Sequence, residues 1–180
     1  MDDRRAPLIR LLRAAHAGER AAALAYAGHW RSVRDVSERA DIRRIGEEEI
    51  AHRARVGEMI AELGGRPSAL REAVFTTIGG TLCVLCFVSG WLAPMYGAGW
   101  IERRNIEEYV EAARLALAAG REDLAGELLE MARVEWDHER WFAGKVAGHR
   151  WARFIPRWKA PLGRAELGAD LQISQRLAAS

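Results

Sequence analysis

GEEEIAHRA, residues 46–54, places Glu49 three positions before His52, and ARVEWDHERW, residues 132–141, repeats the spacing with Glu135 and His138. On an α-helix, residues three apart share a face about one turn from each other, so a Glu-x-x-His pair can reach a single cation. One such pair says little, because both residue types are common on helix surfaces. The company each pair keeps says more. Steps of three or four from Glu49 land on Ile42, Ile45, His52, Val56 and Ile60. The same steps from Glu135 land on Leu124, Leu128, Met131, His138, Phe142 and Val146. Both pairs therefore lie in the apolar stripe that an amphipathic helix turns toward its core.

Two more glutamates share this setting. AAHAGERAAALAY, residues 14–26, sets Glu19 between Leu12 and Ala15 on one side and Ala22, Ala23 and Tyr26 on the other; Glu102 is followed on its face by Ile106, Tyr109, Ala113 and Leu117. A lone Glu followed by Glu-x-x-His thus occurs twice, from Glu19 to Glu49 and from Glu102 to Glu135. Two helix hairpins of this kind, packed together, would direct four carboxylates and two imidazoles into one interior. That is the ligand set of ferritin-like di-iron and di-manganese carboxylate bundles. An unpartnered carboxylate in a helical core costs several kcal/mol, and four together cost far more. Two divalent cations would balance four glutamates and leave neutral histidines to complete the coordination. Oxygen and nitrogen donors with no thiolate favour iron, with manganese the lesser candidate, over a structural zinc. Glu47 and Glu48 flank Glu49 but have no histidine three ahead. Glu107 and Glu108 compete with Glu102, and Glu108 has apolar neighbours in Ile101 and Leu115; Glu102 ranks first because it shares a face with Ile106 and Tyr109. Glu139, beside His138, is expected to face solvent.

The bulk properties suit a single helical domain. The chain has 180 residues, 49% of them hydrophobic and 29% charged, with a formal net charge of +2, which argues against both disorder and nucleic-acid binding. Helical spacing of apolar residues recurs in four long segments and strand-like alternation is absent, so the fold class is all-α. The spacing predicts helices over 6–33, over 38–63 with Ser37 as cap and Gly64-Gly65 and Pro67 as stop, over 100–119 ended by Gly120, and over 122–148. After Pro156 the chain should be irregular, with at most a short helix near 165–177. Residues 1–150 would form the bundle and 151–180 a basic, aromatic tail. The opening MDDRRAPLIRLLRAAH begins acidic and holds no signal-peptide core, which places the expected location in the cytoplasm. Cys83 and Cys86, the only cysteines, fall on one apolar helix face and read as core residues; a four-thiolate iron site is excluded.

From Ala73 to Ile101 no charged residue and no histidine occurs. That length raises the question of a transmembrane helix. A single span would put Glu19 and Glu49 on one side and Glu102 and Glu135 on the other, so a span and a shared metal site exclude each other. The expectation is a long crossover between the second and third liganding helices of a ferritin-like four-helix bundle, broken at Gly79-Gly80 and at Pro94, and apolar enough to lie on a membrane surface. Trp151, Trp158, Arg150, Arg153, Arg157 and Lys159 would suit an interfacial anchor.

Three local motifs carry a family resemblance. His16-Ala17-Gly18-Glu19 is followed by Tyr26-Ala27-Gly28; Arg66-Pro67-Ser68 follows the second helix; and Glu102 precedes Tyr109 by seven. Over roughly residues 8–145 the chain resembles the demethoxyubiquinone hydroxylase family, a ferritin-like branch that hydroxylates a ring carbon in ubiquinone biosynthesis. The resemblance implies two iron ions held by Glu19, Glu49, His52, Glu102, Glu135 and His138, with Tyr109 near the metals relaying electrons or a proton. It also implies a hydrophobic, membrane-soluble quinone as substrate and a peripheral location on the cytoplasmic face of the inner membrane. No Gly-rich dinucleotide loop is present, so reductant must come from an external electron donor; a homo-oligomer is left open. The chain departs from the family at Ala15, where an Asp is usual, at Glu108, where a His is usual, and at HRWARFIPRWKAP, residues 149–161, which stands in place of a closing apolar helix. The expected activity is that of an O2-dependent monooxygenase. The alternative is a rubrerythrin-like di-iron protein that oxidises iron or removes peroxide without a quinone.

Overall fold

The computed structural model describes residues 4–169 and 171. Among these there are five α-helices, two short 3-10 turns and no strand. The helices are α1 (Arg5–Ser32), α2 (Val36–Glu62), α3 (Ala69–Val88), α4 (Leu92–Ala118) and α5 (Glu122–Ala147). Two long helices, an apolar connecting helix and two further long helices make an all-α fold of the ferritin-like kind. By internal contacts the chain divides into two compact units, one of Ile9–Ala98 and one of the residues from Gly99 onward together with those up to Leu8.

In the unit Ile9–Ala98, the contacts give the helix directions. Tyr26 meets Gly46 and His16 meets Gly57, an approximately constant sum of residue numbers, so α1 and α2 are antiparallel. His16 bonds Glu72, Arg20 bonds Thr76 and Ala21 abuts Gly79, a nearly constant difference, so α3 runs parallel to α1. The start of α2 is capped by Asp35, whose carboxylate accepts from the Glu38 amide at 2.9 Å. The cap is thus two residues earlier than Ser37, because a carboxylate at Asp35 can neutralise the amide ends that Ser37, already inside the first turn, cannot reach. The helix stops at Gly64, in the left-handed conformation with φ 77°, where the Gly65 amide returns to the Ile60 carbonyl.

The connecting segment differs from the sequence expectation in two ways. Gly79-Gly80 does not break it: α3 is continuous from Ala69 to Val88. A Cβ at Gly79 would lie 2.7 Å from the Ala21 Cα, and one at Gly28 would collide with the Cys83 carbonyl, so Gly79 and Gly28 let two backbones approach closely. Nor does Pro94 break it. The chain turns at Gly90, with φ 82°, and α4 starts at Leu92 with Pro94 in its first turn, where proline's missing N–H costs nothing. Gly79 is the only buried residue of α3. Val84, Leu85, Phe87 and Val88 are all exposed, and Ala69–Val88 is long and apolar enough to cross a membrane by length and composition. Cys83 and Cys86 are free and half-buried rather than core residues, because α3 rests on α1 through small residues and turns its larger side chains outward.

In the other unit, α4 and α5 are antiparallel, as Asn105 with Glu135 and Gly99 with Phe142 show. Leu124, Leu128, Ala132 and Phe142 of α5 and Ile106, Tyr109, Ala113 and Ala116 of α4 are buried. From the end of α5 to Gly168 the chain is irregular apart from 3-10 turns at Ala152–Phe154 and Arg164–Glu166. Of the short helix expected near 165–177, the described residues show that second turn and helical backbone at Ala169 and Leu171, and most of its span lies outside the described residues.

Candidate metal centre

Each unit holds one Glu and one Glu-x-x-His pair. In the unit Ile9–Ala98, Glu19 on α1 is 3% exposed, and Glu49 and His52 on α2 are buried. One ligand atom from each lies within 4.8 Å of the other two. The helix period explains the local geometry: Ile42, Ile45, Val56, Met59 and Ile60 take the rest of the α2 stripe into the core, and burying them carries Glu49 and His52 inward too. Glu47 stays exposed in an ion pair with Arg43, and Glu48 pairs with Arg44.

In the other unit, Glu102 on α4 and Glu135 and His138 on α5 are likewise buried, and a ligand atom from each also lies within 4.8 Å of the others. His138 Nδ1 is 3.8 Å from Glu135 Oε2. Glu108 is partly exposed, and Glu107 is exposed and paired with Arg103. Tyr109, two turns after Glu102, is 1% exposed. The side-chain amide of Asn105 donates to Glu102 Oε2 at 3.2 Å and to Glu135 Oε2 at 3.4 Å. One amide therefore holds two carboxylates from different helices in a fixed mutual orientation. Its position three after Glu102 was a usable signal in the sequence.

Around the Glu19 half, a half-buried polar node ties three helices together. Glu72, in the first turns of α3, accepts from His16 Nδ1 and from Arg53 Nη2, each at 2.6 Å. Burial alone would raise the Glu72 carboxyl, but the hydrogen bonds from His16 and Arg53 outweigh it and hold the group below its ordinary value. His16 is one turn before Glu19 and Arg53 is next to His52, so the node fixes both helices beside their acidic residues. His29, further along α1, is 1% exposed and stacks on Tyr26; burial pushes its imidazole down to about 4.

Glu139 corrects the sequence reading. It is 1% exposed and accepts from the Trp158 indole at 2.7 Å. Glu139 lies four after Glu135 and so on the same inward face, and the aromatic that covers it comes from 19 residues downstream. Trp158 in turn presses on Gly99, where a Cβ would stand 2.6 Å from the ring. It is therefore a staple of the tail on α4 and α5, not an interfacial ring.

Carboxylates and imidazoles, in groups of three whose atoms converge within 4.8 Å, form a hard-donor set suited to a divalent metal of the iron or manganese type. Neither group includes a thiolate. The buried glutamates and histidines could hold a metal, and a bound cation would offset the cost of keeping such carboxylates from water.

The family model described as "Ubiquinone biosynthesis protein COQ7" matches residues 6–113. Two curated proteins are similar to the chain. A 3-demethoxyubiquinol 3-hydroxylase from Chromobacterium violaceum is 36% identical over 109 residues, covering 59% of this chain and 51% of that protein. A 3-demethoxyubiquinol 3-hydroxylase from Aromatoleum aromaticum is 27% identical over 141 residues, covering 77% of this chain and 66% of that protein. The chain thus spans between about half and two thirds of the length of these curated relatives. No solved structure matches it at a significant level.

Proposed function

The chain belongs to the ubiquinone biosynthesis protein COQ7 family, and from that premise we propose that its two acidic triads act together as a di-iron centre that hydroxylates a membrane-soluble quinone ring. The observation that carries the reading is the duplicated buried triad: Glu19, Glu49 and His52 in one unit, Glu102, Glu135 and His138 in the other. Six ligands for two ions is the complement used by ferritin-like carboxylate bundles. Iron bound there would supply the redox chemistry that couples dioxygen to insertion of an oxygen atom.

The protein's own residues have separable tasks. The carboxylates would neutralise and hold the ions, and Asn105 holds Glu102 and Glu135 in register. The imidazoles of His52 and His138 would complete the donor set. Tyr109, buried two turns beyond Glu102, would pass an electron or a proton, with reductant drawn from an external donor. The exposed apolar face of α3 suits a protein that meets its substrate at a bilayer, at the cytoplasmic face of the inner membrane.

The test is to load the full chain with ferrous iron, supply dioxygen, a reductant and a demethoxylated quinone in detergent, and analyse the quinone by mass spectrometry. Gain of one oxygen atom, lost in Glu49→Gln, is expected. Oxygen uptake that ignores the quinone would replace this reading with the rubrerythrin-like one.

A further inference from the structure

The family match ends at residue 113, and the chain beyond it has a distinctive charge pattern. From Arg140 to Arg164 there are seven arginine and lysine side chains and not one aspartate or glutamate, although the whole chain carries 27 basic and 25 acidic residues. Within this stretch the turn Ala152–Phe154 brings two rings to the surface. Trp151 is 47% exposed and Phe154 64% exposed, their centroids 5.7 Å apart. The Arg150 guanidinium lies over the Trp151 ring at 5.1 Å, and the Arg153 guanidinium over the Phe154 ring at 4.7 Å. Arg157, just beyond, is exposed.

The loop is also held in place. Trp158 donates to Glu139, Arg103 donates to the Lys159 carbonyl at 2.9 Å, Trp136 donates to the Leu162 carbonyl at 2.8 Å, and Arg164 pairs with Asp137. Two large apolar rings and three cations are thus kept on the surface by a fixed base, in a stretch of sequence that supplies no carboxylate of its own.

We propose that residues 148–157 form a docking surface for anionic phospholipid headgroups. The rings suit the headgroup depth of a bilayer, and guanidinium groups bind phosphate oxygens in pairs. A single-stranded nucleic acid would meet the same charge, but it needs open ring faces to stack its bases. Here each ring already has a guanidinium over one face. The inference rests on the membrane part of the function proposed above, and on none of its metal chemistry.

The experiment is co-sedimentation of the full chain with vesicles of phosphatidylcholine alone and of phosphatidylcholine mixed with phosphatidylglycerol, at low and high salt. Binding should favour the anionic vesicles and weaken steeply with salt. Replacing Arg150, Arg153 and Arg157 by Gln should weaken it about a hundred-fold, at about five-fold per cation. Replacing the same three by Lys should restore most of it. Trp151→Ala with Phe154→Ala should weaken binding while circular dichroism stays unchanged. Equal binding to both vesicle types, an unaffected triple Gln variant, or displacement from the vesicles by single-stranded RNA at the same salt would overturn the proposal. Turnover of a short-chain, water-soluble quinone, measured in parallel, keeps the two ideas apart: its absence with vesicle binding intact removes the hydroxylase reading alone.

Discussion

Glu49 is fully buried and lies within 4.8 Å of two other ligand-type groups of its unit, which makes it the residue where stability and function pull hardest against each other. In metal-free protein its charge is a burden. Glu49→Gln removes that charge with little change of shape, so the metal-free variant should melt higher than metal-free wild type, by roughly 1–3 kcal/mol of added stability. The same change should abolish stoichiometric iron binding, read by elemental analysis. A variant that melts lower and still binds iron would refute the assignment. His29 gives a second residue-scale prediction. Its imidazole titrates at about 4 in the folded chain against 6.5 in the unfolded one. Between those values the unfolded chain binds the extra proton, so stability is fully present above pH 6.5 and falls as pH drops toward 4, by about 3 kcal/mol. Urea unfolding from pH 7.5 to 4.5 should show this slope, and His29→Leu should flatten it. Glu72, held below its ordinary value of 4.5, adds a loss of the same sign at lower pH.

At the scale of the helices, packing between α1 and α3 depends on what is missing from two side chains. Gly28→Ala would drive a methyl into the Cys83 carbonyl and Gly79→Ala would drive one against the Ala21 backbone. Backbone cannot yield as a flexible side chain can, so each should cost at least 1–3 kcal/mol, whereas Gly80→Ala, with nothing within 4 Å of its added Cβ, should be neutral or stabilising. Thermal melting of the three variants decides this. The contrast also explains what the sequence could reveal. The stripes of α1, α2 and α5 were legible because period and burial coincide, and the four glutamates and two histidines lie in those stripes or in the matching stripe of α4. The continuity of α3 was not legible, because adjacent glycines signal a breaker when their packing partner, here Ala21, is unknown. The start of α4 was missed for a related reason: Pro94 interrupts a helix interior but not a first turn. Glu139 was misread because its covering group, Trp158, is 19 residues away and in an irregular segment.

At the scale of the whole molecule, the functional proposal makes a demand that neither unit meets alone. If Glu19, Glu49 and His52 share ions with Glu102, Glu135 and His138, metal binding must couple the stability of α1 and α2 to that of α4 and α5. Binding stabilises the folded state as the logarithm of ligand concentration over Kd, about 2.7 kcal/mol at a hundred-fold excess. Hydrogen exchange followed helix by helix should therefore show ferrous iron slowing exchange by up to roughly a hundred-fold in all four helices at once. Glu19→Ala, a change confined to α1, should remove the protection of α4 and α5 as well as that of α1 and α2. Two independent mononuclear sites would behave differently: in that variant α4 and α5 would keep their full iron-induced protection, and the shared di-iron centre would have to be abandoned.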